Sequence, residues 1–107
     1  MKITEVVERL GLEVITMPDP DAEVEGCYVG DLLSWVMGRA SAGNLWITIM
    51  TNLNIIAVAS LAGVSAVVIA ESAELAPDVK ATAEAQGINL LRSKLASYET
   101  AVAVSKL

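Results

Sequence analysis

The stretch "GNLWITIMTNLNIIAVASLAGVSAVVIA", residues 43–70, holds no charged side chain, and its reading decides the fold. Charge is absent from the residue after Arg39 to the one before Glu71, a length sufficient for a membrane-spanning helix. The internal order of the stretch argues against a span. Residues 45–50, LWITIM, are β-branched and aromatic, which suits a strand better than a helix. Thr51 and Asn52 belong to the residue types that start helices and interrupt membrane spans. Residues 53–62 then read as a helix, Gly63 as its stop, and residues 65–70, SAVVIA, as a second strand. Strands apolar at every position are covered on both faces, as in a parallel sheet. The stretch therefore predicts the βαβ core of a soluble protein, at residues 45–70.

The flanking segments repeat the alternation. Ile3, Val6, Val7 and Leu10 recur at helical spacing, with Gly11 as the stop. Residues 12–16, LEVIT, read as a short strand, and residues 17–26 as an acidic loop that becomes extended over 24–29. Asp31 is placed to cap a helix whose inner face is Leu32, Leu33, Val36 and Met37, followed by a turn at 41–44. Pro77 and Gly87 bracket a further helix, and residues 88–91, INLL, form a last strand. Ser93 is placed to cap a final helix with Leu95, Tyr98 and Val102 inward. Strands alternating with helices predict an α/β fold: one compact domain over residues 1–107, with a largely parallel sheet flanked by helices.

Composition narrows the chemistry. The 107 residues carry a formal charge of −6 and include seven Lys or Arg, so phosphate backbones are repelled and nucleic-acid binding is not expected. The same argument disfavours an anionic membrane surface. There is no histidine, which removes the commonest general base and the commonest metal ligand. Cys27 is the only cysteine, so an intrachain disulfide and a cysteine-based zinc site are both impossible. The opening MKITEVVERL lacks the apolar run of a signal peptide, and the cytoplasm is the expected location.

No G-x-x-x-x-G-K-[ST] or G-x-G-x-x-G motif occurs, so the phosphate cradle of a kinase is missing. Asp19, Asp21, Glu23 and Glu25 alternate as if to bind calcium. An EF-hand loop counted from Asp19 would need Gly and Glu where Val24 and Gly30 stand, so a solvated acidic loop is the better reading. Cys27, with no histidine to form its thiolate, reads as a half-buried structural thiol. Trp35 and Trp46 read as core or subunit-contact residues rather than ligand-stacking rings.

Thr48, Thr51, Asn52 and Asn54 straddle the carboxyl end of one strand and the start of a helix. Unpaired backbone N–H groups and the positive dipole end gather there. Ligands of open α/β sheets sit at such ends, at a switch in strand order. Glu71 and Ser72 follow the next strand and would lie beside them. These six residues are the candidate ligand site, for a small polar or anionic ligand. The competing reading is that Thr51 and Asn52 only cap the helix.

Three segments, GCYVGDLLSWVM (26–37), LWITIMTNLNIIAVASLAGVSAVVIA (45–70) and GINLLRSKLASYETA (87–101), together resemble the DRTGG domain family over nearly the whole chain. That family includes stand-alone small bacterial proteins and a module attached to CBS domains. It also resembles the middle region of long phosphotransacetylases and the N-terminal domain of HPr kinase/phosphorylase. The resemblance implies an α/β fold, a cytoplasmic location, self-association and a regulatory or ligand-sensing role. The chain departs from the family's name at both places. Thr51 and Asn52 stand where the family has "DR", and Ala70, Glu71 and Ser72 stand around its "GG". Stand-alone members often share the T-x-L-N variant. The expectation is a non-catalytic sensing module without cofactor or metal, homodimeric, with a small ligand or a protein partner. The alternative is a purely structural dimerisation or scaffolding domain.

Overall fold

A computed structural model describes residues Met1–Leu107. The chain runs α1 (Ile3–Leu10), β1 (Glu13–Thr16), β2 (Cys27–Val29), α2 (Leu33–Arg39), β3 (Leu45–Thr48), α3 (Asn54–Ala62), β4 (Ala66–Ile69), α4 (Val79–Ala85), β5 (Leu90–Arg92) and α5 (Ser97–Ser105). The five strands form one sheet in the order β1-β5-β4-β3-β2. Four of them are parallel, and β1 adds to the far edge antiparallel to β5. The α/β class and the central βαβ unit are those the sequence predicts.

Alternation along the strands builds two cores. Trp46, Val67, Ile69 and Leu90 point to one face, where α2, α3 and α4 cover them with Val36, Ile55, Ile56, Ala59, Val79 and Ala83. Leu45, Ile47, Ala66, Val68 and Leu91 point to the other, against Ile3 and Val6 of α1 and Ala101 and Val104 of α5. This double cover is why β3 and β4 are buried at every position. Trp46 is fully buried and its indole Nε1 donates to Gly30 O at 2.9 Å. No helix is long and apolar enough to cross a membrane.

The acidic loop between β1 and β2 spans the width of the sheet and is pinned by side chains from elsewhere. Asn89 Nδ2 donates to Asp19 O at 2.7 Å and to Ser65 O at 2.9 Å, while its Oδ1 accepts from Asp19 N at 3.0 Å. Its acidic residues diverge: Asp21 pairs with Lys2, and Glu23 with the N-terminal amine.

Three local expectations are corrected. Asp31 does not cap α2, which starts without a side-chain cap; its carboxylate instead accepts from the end of β3. Leu32 and Met37 are exposed, leaving Val36 as the buried residue of α2. In α5, Tyr98 points to solvent and Thr100 is buried, and Leu95 lies exposed before the helix starts. The Ser93 hydroxyl bonds to Thr100 and accepts from Leu95 N, so the loop, not the helix start, takes its capacity.

Candidate functional site at the carboxyl end of the sheet

Thr48 ends β3 because side chains take the amides that a continuing ladder would need. Its buried Oγ1 donates to Asp31 Oδ1 at 2.9 Å and accepts from Met50 N at 3.2 Å. The same Asp31 oxygen accepts from Ile49 N at 2.9 Å. A carboxylate with two donors is held more strongly than a neutral pair would be. Sequence reasoning missed this role of Asp31, because a short-range cap and a link to a strand seventeen residues away look alike in one dimension.

Beyond Met50 the chain turns into α3. Asn52 Oδ1 accepts from Asn54 N at 3.0 Å and Asn52 O accepts from Ile55 N at 3.2 Å, an Asx turn that leads into α3, whose own N-cap residue, Leu53, has no side-chain cap. Thr51 contributes its carbonyl, which accepts from Ala76 N at 3.1 Å and fastens the entry to α4. The amides of Thr51, Asn52 and Leu53 donate to no acceptor within the chain.

The neighbouring turn is brought alongside by the sheet. Thr48 pairs with Ile69 in the parallel register, and Ala70 N donates to Thr48 O at 2.9 Å. Glu71 and Ser72 follow, both exposed and both left-handed, with φ of 65° and 51°. Their amides donate to Leu95 O at 2.8 Å and Ser93 O at 2.9 Å. Thr48, Thr51, Asn52, Glu71 and Ser72 thus lie along one edge, where the loops after β3 and β4 emerge side by side. Asn54 turns away into a groove between α3 and α4 of about 450 Å³, which it lines with Ser60, Thr82 and Gln86.

The strand order lacks the switch point expected beside these residues. The parallel strands follow in consecutive order from β2 to β5, with α2, α3 and α4 on a single face. There is no reversal of strand order between β3 and β4, so the switch-point reason for a ligand there is gone. What is left is three unpartnered amides at a helix start beside an exposed carboxylate.

Displaced ionisation lies elsewhere. Hydrogen bonds from Arg92 hold the Glu13 carboxyl below the usual carboxylate range, and the same pair raises Arg92. Cys27 is exposed rather than half-buried as expected, yet burial of its thiol raises its pKa above the ordinary thiol value. The sulfur lines an apolar cleft of about 400 Å³ under α5, which reconciles the two observations.

A family model described as "DRTGG domain" matches residues 5–107. No curated protein matches the sequence. Among solved structures, the chain is similar to the CBS and DRTGG domains of the regulatory region of Clostridium perfringens pyrophosphatase, solved in complex with the activator diadenosine tetraphosphate. That similarity has a TM-score of 0.72 at 13% identity and covers 92% of this chain, which spans 44% of the other.

Proposed function

Because the chain belongs to the DRTGG domain family, we propose that it is a non-catalytic, cytoplasmic regulatory module that senses a small ligand and works as a homodimer. The family match over residues 5–107 carries this reading. The composition is in keeping with it: the chain has no histidine and no G-x-x-x-x-G-K-[ST] or G-x-G-x-x-G phosphate-binding motif. Ligand binding is supported by the regulatory region of the pyrophosphatase, which holds an activator.

The ligand sits at Thr48, Thr51, Asn52, Glu71 and Ser72, while Asn54 faces the separate groove between α3 and α4. The free amides of Thr51, Asn52 and Leu53 attract a polar or singly anionic group, aided by the dipole of α3. Glu71 opposes a heavily phosphorylated one. The exposed apolar residues, Leu32 and Trp35 among them, favour a second reading in which the chain serves only as a dimerising scaffold.

Thermal-shift screening with nucleotides and phosphorylated metabolites separates the two, since a ligand bound to the folded state raises the midpoint. For a compound that does so, Asn52→Ala abolishes the shift while lowering stability by about 1 kcal/mol, the worth of a side-chain hydrogen bond at a helix start. Asn54→Ala leaves the shift in place at almost no cost, because the Asn54 side chain is exposed, makes no hydrogen bond and faces the α3–α4 groove. Unchanged binding in Asn52→Ala would reduce that residue to its role at the helix start.

A further inference from the structure

The two open edges of the sheet differ in how well they are guarded. Strand β1 carries Glu13, ion-paired to Arg92, and a register irregularity between Val14 and Thr16. Charges and bulges of this kind keep an edge from pairing with another chain. Strand β2 has neither. Gly26 O accepts from Leu45 N and Gly30 N donates to Ile47 O, so by the two-residue alternation of a ladder Cys27 and Val29 direct their N–H and C=O groups to the open side. Cys27 is exposed and Val29 is 46% exposed.

Beyond β2 the chain passes through Gly30, Asp31 and Leu32 into α2, which packs on α3. Leu32 is 58% exposed and Trp35 51%, with the Arg39 guanidinium 3.7 Å from the Trp35 ring centroid. Exposed Trp and Arg side by side are the residues most often found to dominate protein contacts. Between Gly26 and Gly38 the only charge is Asp31, and its carboxylate is turned inward onto Thr48 and Ile49.

We infer that β2 and α2 form the surface on which a second copy of this chain docks, an inference that rests on the homodimer reading above. An open strand edge is complementary to itself: two copies of β2, antiparallel about a two-fold axis at Tyr28, satisfy each other's free groups. The sheet then runs to ten strands through the joint. The charge of the chain allows this face: two copies at −6 each repel, and the stretch from Gly26 to Gly38, like the uncharged outer side of α3, can meet its copy without opposing carboxylates. The open ladder of β2, which α3 lacks, distinguishes it. In this register Cys27 of one copy faces Val29 of the other. The two Cys27 residues are diagonal neighbours at about 7–8 Å, too far for a disulfide and within reach of a short bis-maleimide.

The test combines sedimentation at high micromolar concentration with cross-linking by a bis-maleimide spanning about 8 Å, the diagonal spacing. Wild type is expected to sediment as a dimer and to cross-link through Cys27, with no cross-link in Cys27→Ser. Val29→Lys and Trp35→Glu, each altering an exposed side chain, are expected to yield folded monomers. Leu61→Lys, on the 72% exposed outer side of α3, adds the same charge as Val29→Lys and leaves the dimer intact. If both β2 and α2 variants stay dimeric, or Leu61→Lys alone dissociates, the interface lies elsewhere and the homodimer survives. Either of the two variants is decisive if the other fails to fold by circular dichroism. A wild type that sediments as a monomer throughout overturns both.

Discussion

At the scale of single residues, the clearest tension is at Glu71 and Ser72, where two consecutive L side chains hold positive φ. A left-handed conformation costs a non-glycine residue about 1–2 kcal/mol, part of which a glycine returns through its greater freedom when unfolded. Glu71→Gly should therefore raise stability by about 0.5–1 kcal/mol, read as a higher urea midpoint at unchanged slope. A lower midpoint would mean that the carboxylate supports the turn in a way the backbone does not reveal. The left-handed backbone at Glu71 and Ser72 could not be read from the sequence, since neither residue is a glycine. Asn52 was legible as a helix-start residue from its type and place alone, and its Asx turn leads into α3. Asp31 was not, since its partners Thr48 and Ile49 come beside it only once β3 is laid against β2.

At the scale of elements, the strands with the strongest internal signal are those found. Residues 45–48 and 66–69 lie at the centre of the sheet, and apolar residues on both faces leave no other placement. The boundaries were less legible: β3 stops two residues before its apolar run does, because the Thr48 hydroxyl and Asp31 carboxylate take the next amides. The final helix was misread because Tyr98 looks like core material at helical spacing. Which face of α5 meets the sheet is set instead by Ala101 and Val104. Pairing between β1 and β5 has an electrostatic component in the doubly bonded Glu13–Arg92 pair, at 2.7 and 3.0 Å. Glu13 has a lowered pKa in the fold, so its contribution is present above the ordinary value of 4.5 and is lost as pH falls through the lowered one. Glu13→Gln should be less stable than wild type in urea titrations at about pH 6, and the difference should shrink and disappear as pH falls through the lowered Glu13 pKa. A gap that persists in acid would point to packing of the side chain rather than to its charge.

At the scale of the whole molecule, consecutive strands β1 and β2 lie at opposite edges of the sheet, and the acidic loop crosses between them. That arrangement could not be read from local pattern, since it depends on the antiparallel strand choosing β5 as its partner. It has a consequence during synthesis. Thr16 donates to Ile88 O and Asp19 is gripped by Asn89, contacts 72 and 70 residues apart in the chain. At about 5–20 residues per second, β1 emerges from the ribosome roughly 4–14 s before its mate exists. For that interval the nascent chain displays an unpaired, β-prone segment, EVIT, with Leu12 before it and Met17 after it. Glu13 within it and Asp19, Asp21, Glu23 and Glu25 behind it act as gatekeepers, keeping the waiting strand from joining other nascent chains. Replacing the four loop carboxylates by their amides should barely move the denaturation midpoint of the purified protein, because the ion pairs of Asp21 and Glu23 are exposed. Soluble yield from rapid expression should fall, and slowing translation should restore it.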